Sequence, residues 1–102
     1  MNSELTVTQD NSYKMGCRLV LTGRVTFNSA DILKHKLTEA SRKFSNIFLD
    51  MREVTFLSSA GIRVLLLFHK NAKQQGGRFK IERASENVAN VIGSVALDEL
   101  LA

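Results

Sequence analysis

Leu5-Thr6-Val7-Thr8-Gln9 alternates apolar and polar residues, the period of a strand with one buried face. Asp10-Asn11-Ser12 is a turn cluster, and Met15 to Thr22 alternates again, with Cys17, Leu19 and Leu21 on one side and Arg18 and Val20 on the other. Two alternating runs joined by turn residues predict a hairpin, and Gly23 is expected to end its second strand. The period then changes. Leu33, Leu37, Ala40 and Phe44 recur at helical spacing, with Lys34, Glu39, Arg42 and Lys43 off that stripe. This predicts a helix from near Ala30, with Asn28 or Ser29 able to cap it through a side-chain oxygen.

Asn46-Ile47-Phe48-Leu49-Asp50 is a short, nearly continuous apolar run, as in a strand covered on both faces. Met51 to Leu57 is expected to be a loop. Ser58 and Ser59 precede a helix from about Ala60 to Gln75, stopped by Gly76-Gly77. Within that helix Ile62, Leu65, Leu66, His69 and Ala72 share one face, the expected core face, while Leu67 lies nearly opposite beside Arg63 and Lys70. Arg78 to Glu82 alternates as a strand. Ser85 can cap a helix carrying Val88, Val91 and Ile92, with a break at Gly93-Ser94 and a short terminal helix from Ala96 to Leu101. The order β-β-α-β-α-β-α-α predicts an α/β fold. It would be a mixed sheet of about four strands against about four helices, with parallel pairs after the opening hairpin.

The length of 102 residues suits one domain spanning 1–102. With 44% hydrophobic and 24% charged residues, the chain has the make-up of a globular protein rather than a disordered one. The net charge of +4 comes from scattered Lys and Arg, so it speaks for solubility and not for a nucleic-acid stripe. Cys17 is the only cysteine; it excludes an internal disulfide, and its place in an apolar alternation predicts a buried thiol. The opening Met1-Asn2-Ser3-Glu4-Leu5 lacks the pattern of a signal peptide. The longest apolar run, Val64 to Phe68, is far too short to span a bilayer. A cytoplasmic protein is therefore expected. His35 and His69 stand apart without a second ligand at metal spacing, and no glycine-rich nucleotide motif is present. No cofactor, metal or catalytic set is expected.

One stretch carries more. Asp50 to Leu66 reads DMREVTFLSSAGIRVLL. A strand ending in Asp, a short loop, an apolar pair and then Ser-Ser-Ala-Gly-Ile opening a helix resembles the STAS domain family of the anti-sigma factor antagonist type. Leu21-Thr22-Gly23 and Gly76-Gly77 resemble that family's turns before and after, and the likeness extends from about Leu5 to Leu101. It implies a STAS-like fold and a binding role without catalysis. The expected partners are an anti-sigma factor that is a serine kinase of histidine-kinase-like fold, and a phosphatase that reverses its mark.

By position, the resemblance assigns phosphorylation to Ser59, with Ser58 as the alternative; on spacing alone Ser59 reads as a helix cap before it reads as a modified residue. Partner binding would fall on Gly23, Arg24, Thr26, Asn28, Leu57, Ser58, Ser59, Ala60, Gly61, Arg63 and Leu67. Two positions depart from the family's pattern: Thr26 and Ser58 stand where antagonists usually carry Asp. Two other readings stay open, a STAS subunit of a membrane lipid transporter and a scaffold that binds without phosphorylation.

Overall fold

The computed structural model describes residues 4–101; the reading of the N-terminal start involves Met1, Asn2 and Ser3, which lie outside them. Strands β1 (Leu5–Gln9) and β2 (Cys17–Val25) form the hairpin, antiparallel, with Leu5 opposite Gly23 and Gln9 opposite Leu19. The Asp10 carboxylate accepts bonds from the Ser12 N–H and hydroxyl and so holds the turn. Helix α1 (Ala30–Lys43) leads to β3 (Asn46–Leu57), α2 (Ser59–Gln74) to β4 (Arg78–Ala84), and α3 (Glu86–Ser94) to a 3₁₀ turn at Asp98–Leu100. The sheet order is β1-β2-β3-β4, with β2, β3 and β4 parallel. Both crossovers step the same way across the sheet, so right-handed connections place α1 and α2 on one face.

The core lies between that face and the helices. Leu5, Cys17, Leu19, Leu21, Ile47, Leu49, Phe79 and Ile81 from the strands meet Leu33, Leu37, Leu65, Phe68, Val88 and Ile92 from the helices. The α/β class, the mixed four-stranded sheet and the element order agree with the sequence pattern; among the described residues the α-helices number three, with a 3₁₀ turn in place of a fourth.

Four expectations need correction. Gly23 does not end β2: it sits inside the strand at φ +118, and a Cβ there would run into the Glu4 carbonyl oxygen. The strand continues through Gly23 to Val25, opposite bulges in β3. Met51 to Leu57 is not a loop but the second half of β3. The first half is not covered on both faces: Ile47 and Leu49 are buried while Phe48 is half-buried on the open face, against the Tyr13 ring. Lastly, α3 runs through Gly93 to Ser94, and the turn comes at Ala96, φ +57, which prevents a helix from starting there. The chain instead makes the short 3₁₀ turn and a parallel bridge from Leu101 to Ile81.

On α2 the buried residues are Gly61, Leu65, Phe68 and His69. Phe68 belongs to the core although its position lay off the expected face, and Ile62, Leu66 and Ala72 are only half-buried.

Candidate functional site

The ends of β2 and β3 run out side by side, with Arg24 opposite Phe56 and Val25 opposite Leu57. The Ser58 N–H then donates to the Val25 carbonyl at 2.8 Å, tying the start of α2 to the end of β2. Beneath this junction Gly61 packs on the two strand ends. A Cβ on Gly61 would stand 2.6 Å from Val25 Cγ1 and 2.8 Å from Leu57 Cδ1. Glycine is therefore what lets the helix approach so closely.

Ser58 is the N-cap of α2. It has extended backbone, and its Oγ accepts from the Gly61 N–H at 3.1 Å. Ser59 is the first helical residue; it is exposed, and its hydroxyl has no hydrogen bond among the described residues. With Gly61 capped, the N–H groups of Ser59 and Ala60 are the open donors of the first turn, which contains no acid. The helix cap that spacing suggested for Ser59 is thus made by Ser58, and the Ser59 hydroxyl takes no part in it.

The turn that follows β2, at residues 26–29, lies at the same end of the sheet. Ser29 occupies the cap position of α1 but does not cap it through its side chain. Its Oγ turns back, accepting from the Thr26 N–H at 2.8 Å and donating to the Arg24 carbonyl at 2.7 Å. The Thr26 hydroxyl accepts from the Ser29 N–H and donates to the Glu4 carboxylate at 2.6 Å. An acid thus does stand at this turn, contributed from the chain start and not from position 26.

Of the sequence-predicted residues, Arg24 and Thr26 at the end of β2 and Ser58, Ser59, Ala60 and Gly61 at the start of α2 meet at this corner, while Gly23 lies within β2 and Asn28 is exposed in the following turn. Leu57 and Gly61 are buried and support the site from below; their side of the chain faces the core. Arg63 is one helical turn further on. Leu67, 42% exposed, is two turns along α2, outside the loop cluster.

Two aromatic residues were missed by the sequence reading. Phe27 is 80% exposed at the crown of the turn, and Phe56 is 44% exposed on β3 with the Arg24 guanidinium 5.3 Å from its ring centre. Phe27 could have been found as an aromatic among Gly, Thr, Asn and Ser. Phe56 needs the strand register, which a loop assignment conceals. Exposed aromatics flanked by arginine are typical of contact surfaces.

Elsewhere, Cys17 is buried and burial pushes its thiol above the ordinary range. His35 is exposed and pairs with Glu39 at 2.9 Å, while His69 is buried at the core edge between the Phe79 carbonyl and Glu99. Among the described residues no group of three or more His, Cys, Asp or Glu could hold a metal, and no helix is long and apolar enough to cross a membrane.

The STAS domain family model matches residues 4–101. The chain is similar to the anti-sigma-B factor antagonist of Bacillus subtilis (strain 168), 24% identical over 101 residues, covering 99% of this chain and 90% of that protein. Among solved structures it resembles an anti-sigma factor antagonist from Mycobacterium paratuberculosis, with a TM-score of 0.81 at 16% identity over 95% of this chain and 82% of the other. It also resembles the antagonist SpoIIAA in both recorded forms. The unphosphorylated form gives a TM-score of 0.79 at 15% identity, covering 95% and 86%. The phosphorylated Bacillus form gives 0.70 at 14%, covering 95% and 89%.

Proposed function

The chain belongs to the STAS domain family, and from that premise we propose that it is an anti-sigma factor antagonist: a cytoplasmic, single-domain binding protein, not an enzyme. It engages a kinase-type anti-sigma factor through the segment from Gly23 to Asn28, the Ser58-Ser59 corner and the first turns of α2, freeing the sigma factor. Phosphorylation of Ser59 releases the partner, and a phosphatase restores binding.

The observation that carries this reading is the division of labour between the two serines. Ser58 meets the capping need of α2, so Ser59 is left exposed with an unengaged hydroxyl. A phosphate there would sit beside the open N–H groups of Ser59 and Ala60, at the positive end of the helix dipole, in a first turn without acids. The fold can therefore accept the modification. A partner cannot do so as easily. About −1.5 to −2 of charge at neutral pH would have to be desolvated against a surface built from Phe27 and Phe56. The charge of the switch, not a refolding, is what ends binding.

The resemblance to antagonists supports the partner class, since one of them has been solved in phosphorylated and unphosphorylated forms. The test is to incubate the protein with a kinase-type anti-sigma factor and ATP, and to map phosphate by mass spectrometry. A single phosphate on Ser59 is expected. No phosphate on Ser59 or Ser58, with unchanged partner affinity for Ser59→Asp, would overturn the switch. Co-purification with a nucleotide-binding transporter subunit instead would overturn the partner class.

A further inference from the structure

Helix α2 carries a second surface beyond its first turns. Its sixteen residues include no acid. Arg63, Leu66, Leu67, Lys70 and Lys73 recur along its outer side at helical spacing. Arg63, Lys70 and Lys73 are exposed, Leu67 is exposed and Leu66 is half-buried. With His69 and Glu99 they line an open groove of about 460 Å³. Glu99 is the one acid in its wall, and it is already engaged, 3.2 Å from His69 Nε2 and 3.9 Å from Lys73 Nζ. Arg63 and Lys70 have no ionic partner among the described residues. The groove thus has a leucine floor and a rim of surplus positive charge.

We propose that this groove binds an acidic amphipathic helix of a partner protein. An apolar stripe would lie on Leu66 and Leu67, and flanking Glu and Asp residues would face Arg63, Lys70 and Lys73. The rim from Arg63 to Lys73 runs about 15 Å along the α2 axis, the length of about three turns of a docked helix. Charge argues against a second copy of this chain as occupant: the molecule is net +4, and α2 packed on α2 would oppose cation to cation. The groove also lacks the aromatic platforms on which nucleic-acid bases stack.

Most of the groove lies beyond the reach of the switch. Lys70 and Lys73 lie about 16–21 Å along the helix from Ser59, beyond the ~8 Å over which salt leaves exposed charges able to sense one another; only Arg63, about 6 Å along from Ser59, lies within that range and is shared with the proposed anti-sigma factor surface. A partner held by Leu67, Lys70 and Lys73 should keep most of its affinity when Ser59 carries a phosphate. The proposal does not depend on Ser59 being modified.

The test titrates the full-length ¹⁵N-labelled protein with a synthetic helical peptide of about 18 residues, long enough to hold a helix. It carries leucines at i, i+3, i+4, i+7 spacing and glutamates beside them. Saturable amide shifts confined to Arg63–Lys73 and Glu99 are expected. Lys70→Glu/Lys73→Glu and, separately, Leu67→Lys should each weaken binding about tenfold or more, with an unchanged circular dichroism spectrum, while Ser59→Asp leaves it within about twofold. Four outcomes would overturn the proposal: no saturable shift; equal binding of a scrambled peptide of the same composition; insensitivity to the groove variants; or capture of phosphatidylglycerol vesicles, and not the peptide, by the same residues. Failure here would leave the Ser59 experiment untouched.

Discussion

At the start of α2 the Ser58 Oγ accepts from the Gly61 N–H at 3.1 Å, while the neighbouring Ser59 hydroxyl faces solvent. The two serines should therefore respond differently to truncation. Ser58→Ala should cost about 1 kcal/mol of stability, the worth of a lost N-cap, whereas Ser59→Ala should stay within about 0.5 kcal/mol; urea denaturation compares them. Gly61→Ala tests the packing beneath. Its new methyl group would press on Val25 and Leu57, costing about 1–3 kcal/mol as overpacking does and tilting the corner that carries Ser59. Stability and partner affinity should fall together. Asp10 offers a pH reading. Hydrogen bonds from the Ser12 hydroxyl and N–H, helped by Arg18, hold its carboxyl below the ordinary value against the opposing effect of desolvation. A lowered carboxylate pKa contributes stability above its unfolded value, near 3.9, and loses it as pH falls through the folded value. Native-state NMR should find the Asp10 carboxyl titrating below the ordinary aspartate value, and Ser12→Ala should move it back upward.

The elements show how far a pattern of residues can be read. The strands at Leu5–Gln9 and Cys17 onward, both long helices and the Ser85 cap were legible because each keeps one period and has a recognisable end. The second half of β3 was not legible, for a physical reason. Its inward residues are Met51, Val54 and Leu57, three apart. Along β2 the pairing steps from Val20 to Thr22 while β3 steps from Asp50 to Glu53, and again from Gly23 to Arg24 against Val54 to Phe56. Each irregularity gives β3 one extra residue, which turns a period of two into three and imitates a loop. The same bulges set Phe56 beside Arg24 at the rim of the site. Phe27→Ala and Phe56→Ala should therefore leave the melting temperature nearly unchanged, since both rings are substantially exposed. Each should weaken partner binding, by about 1 kcal/mol or more if it is an anchor. Equal affinity for both variants in a titration would remove these rings from the interface.

At the scale of the whole molecule, the sheet has one face under the helices and one open face bearing Thr6, Thr8, Thr22 and the Arg18–Glu82 pair at 2.9 Å. The ends of β2 and β3 and the start of α2 meet at one corner of this slab. That corner was foreseeable from element order and the Ser-Ser-Ala-Gly stretch. The contribution of Glu4 was not, because the Thr26–Glu4 bond joins residues 22 apart across the hairpin. If this corner is the switch, as proposed, phosphorylation should change its charge and leave the fold alone. The most direct measurement is a calorimetric titration of the kinase-type partner with the unmodified protein and with the same protein phosphorylated on Ser59, each checked by its NMR spectrum. The account predicts a native spectrum in both forms and a loss of affinity of at least about tenfold, or 1.4 kcal/mol, on phosphorylation. Equal affinity of the two forms, or a phosphorylated protein whose core resonances collapse, would contradict it.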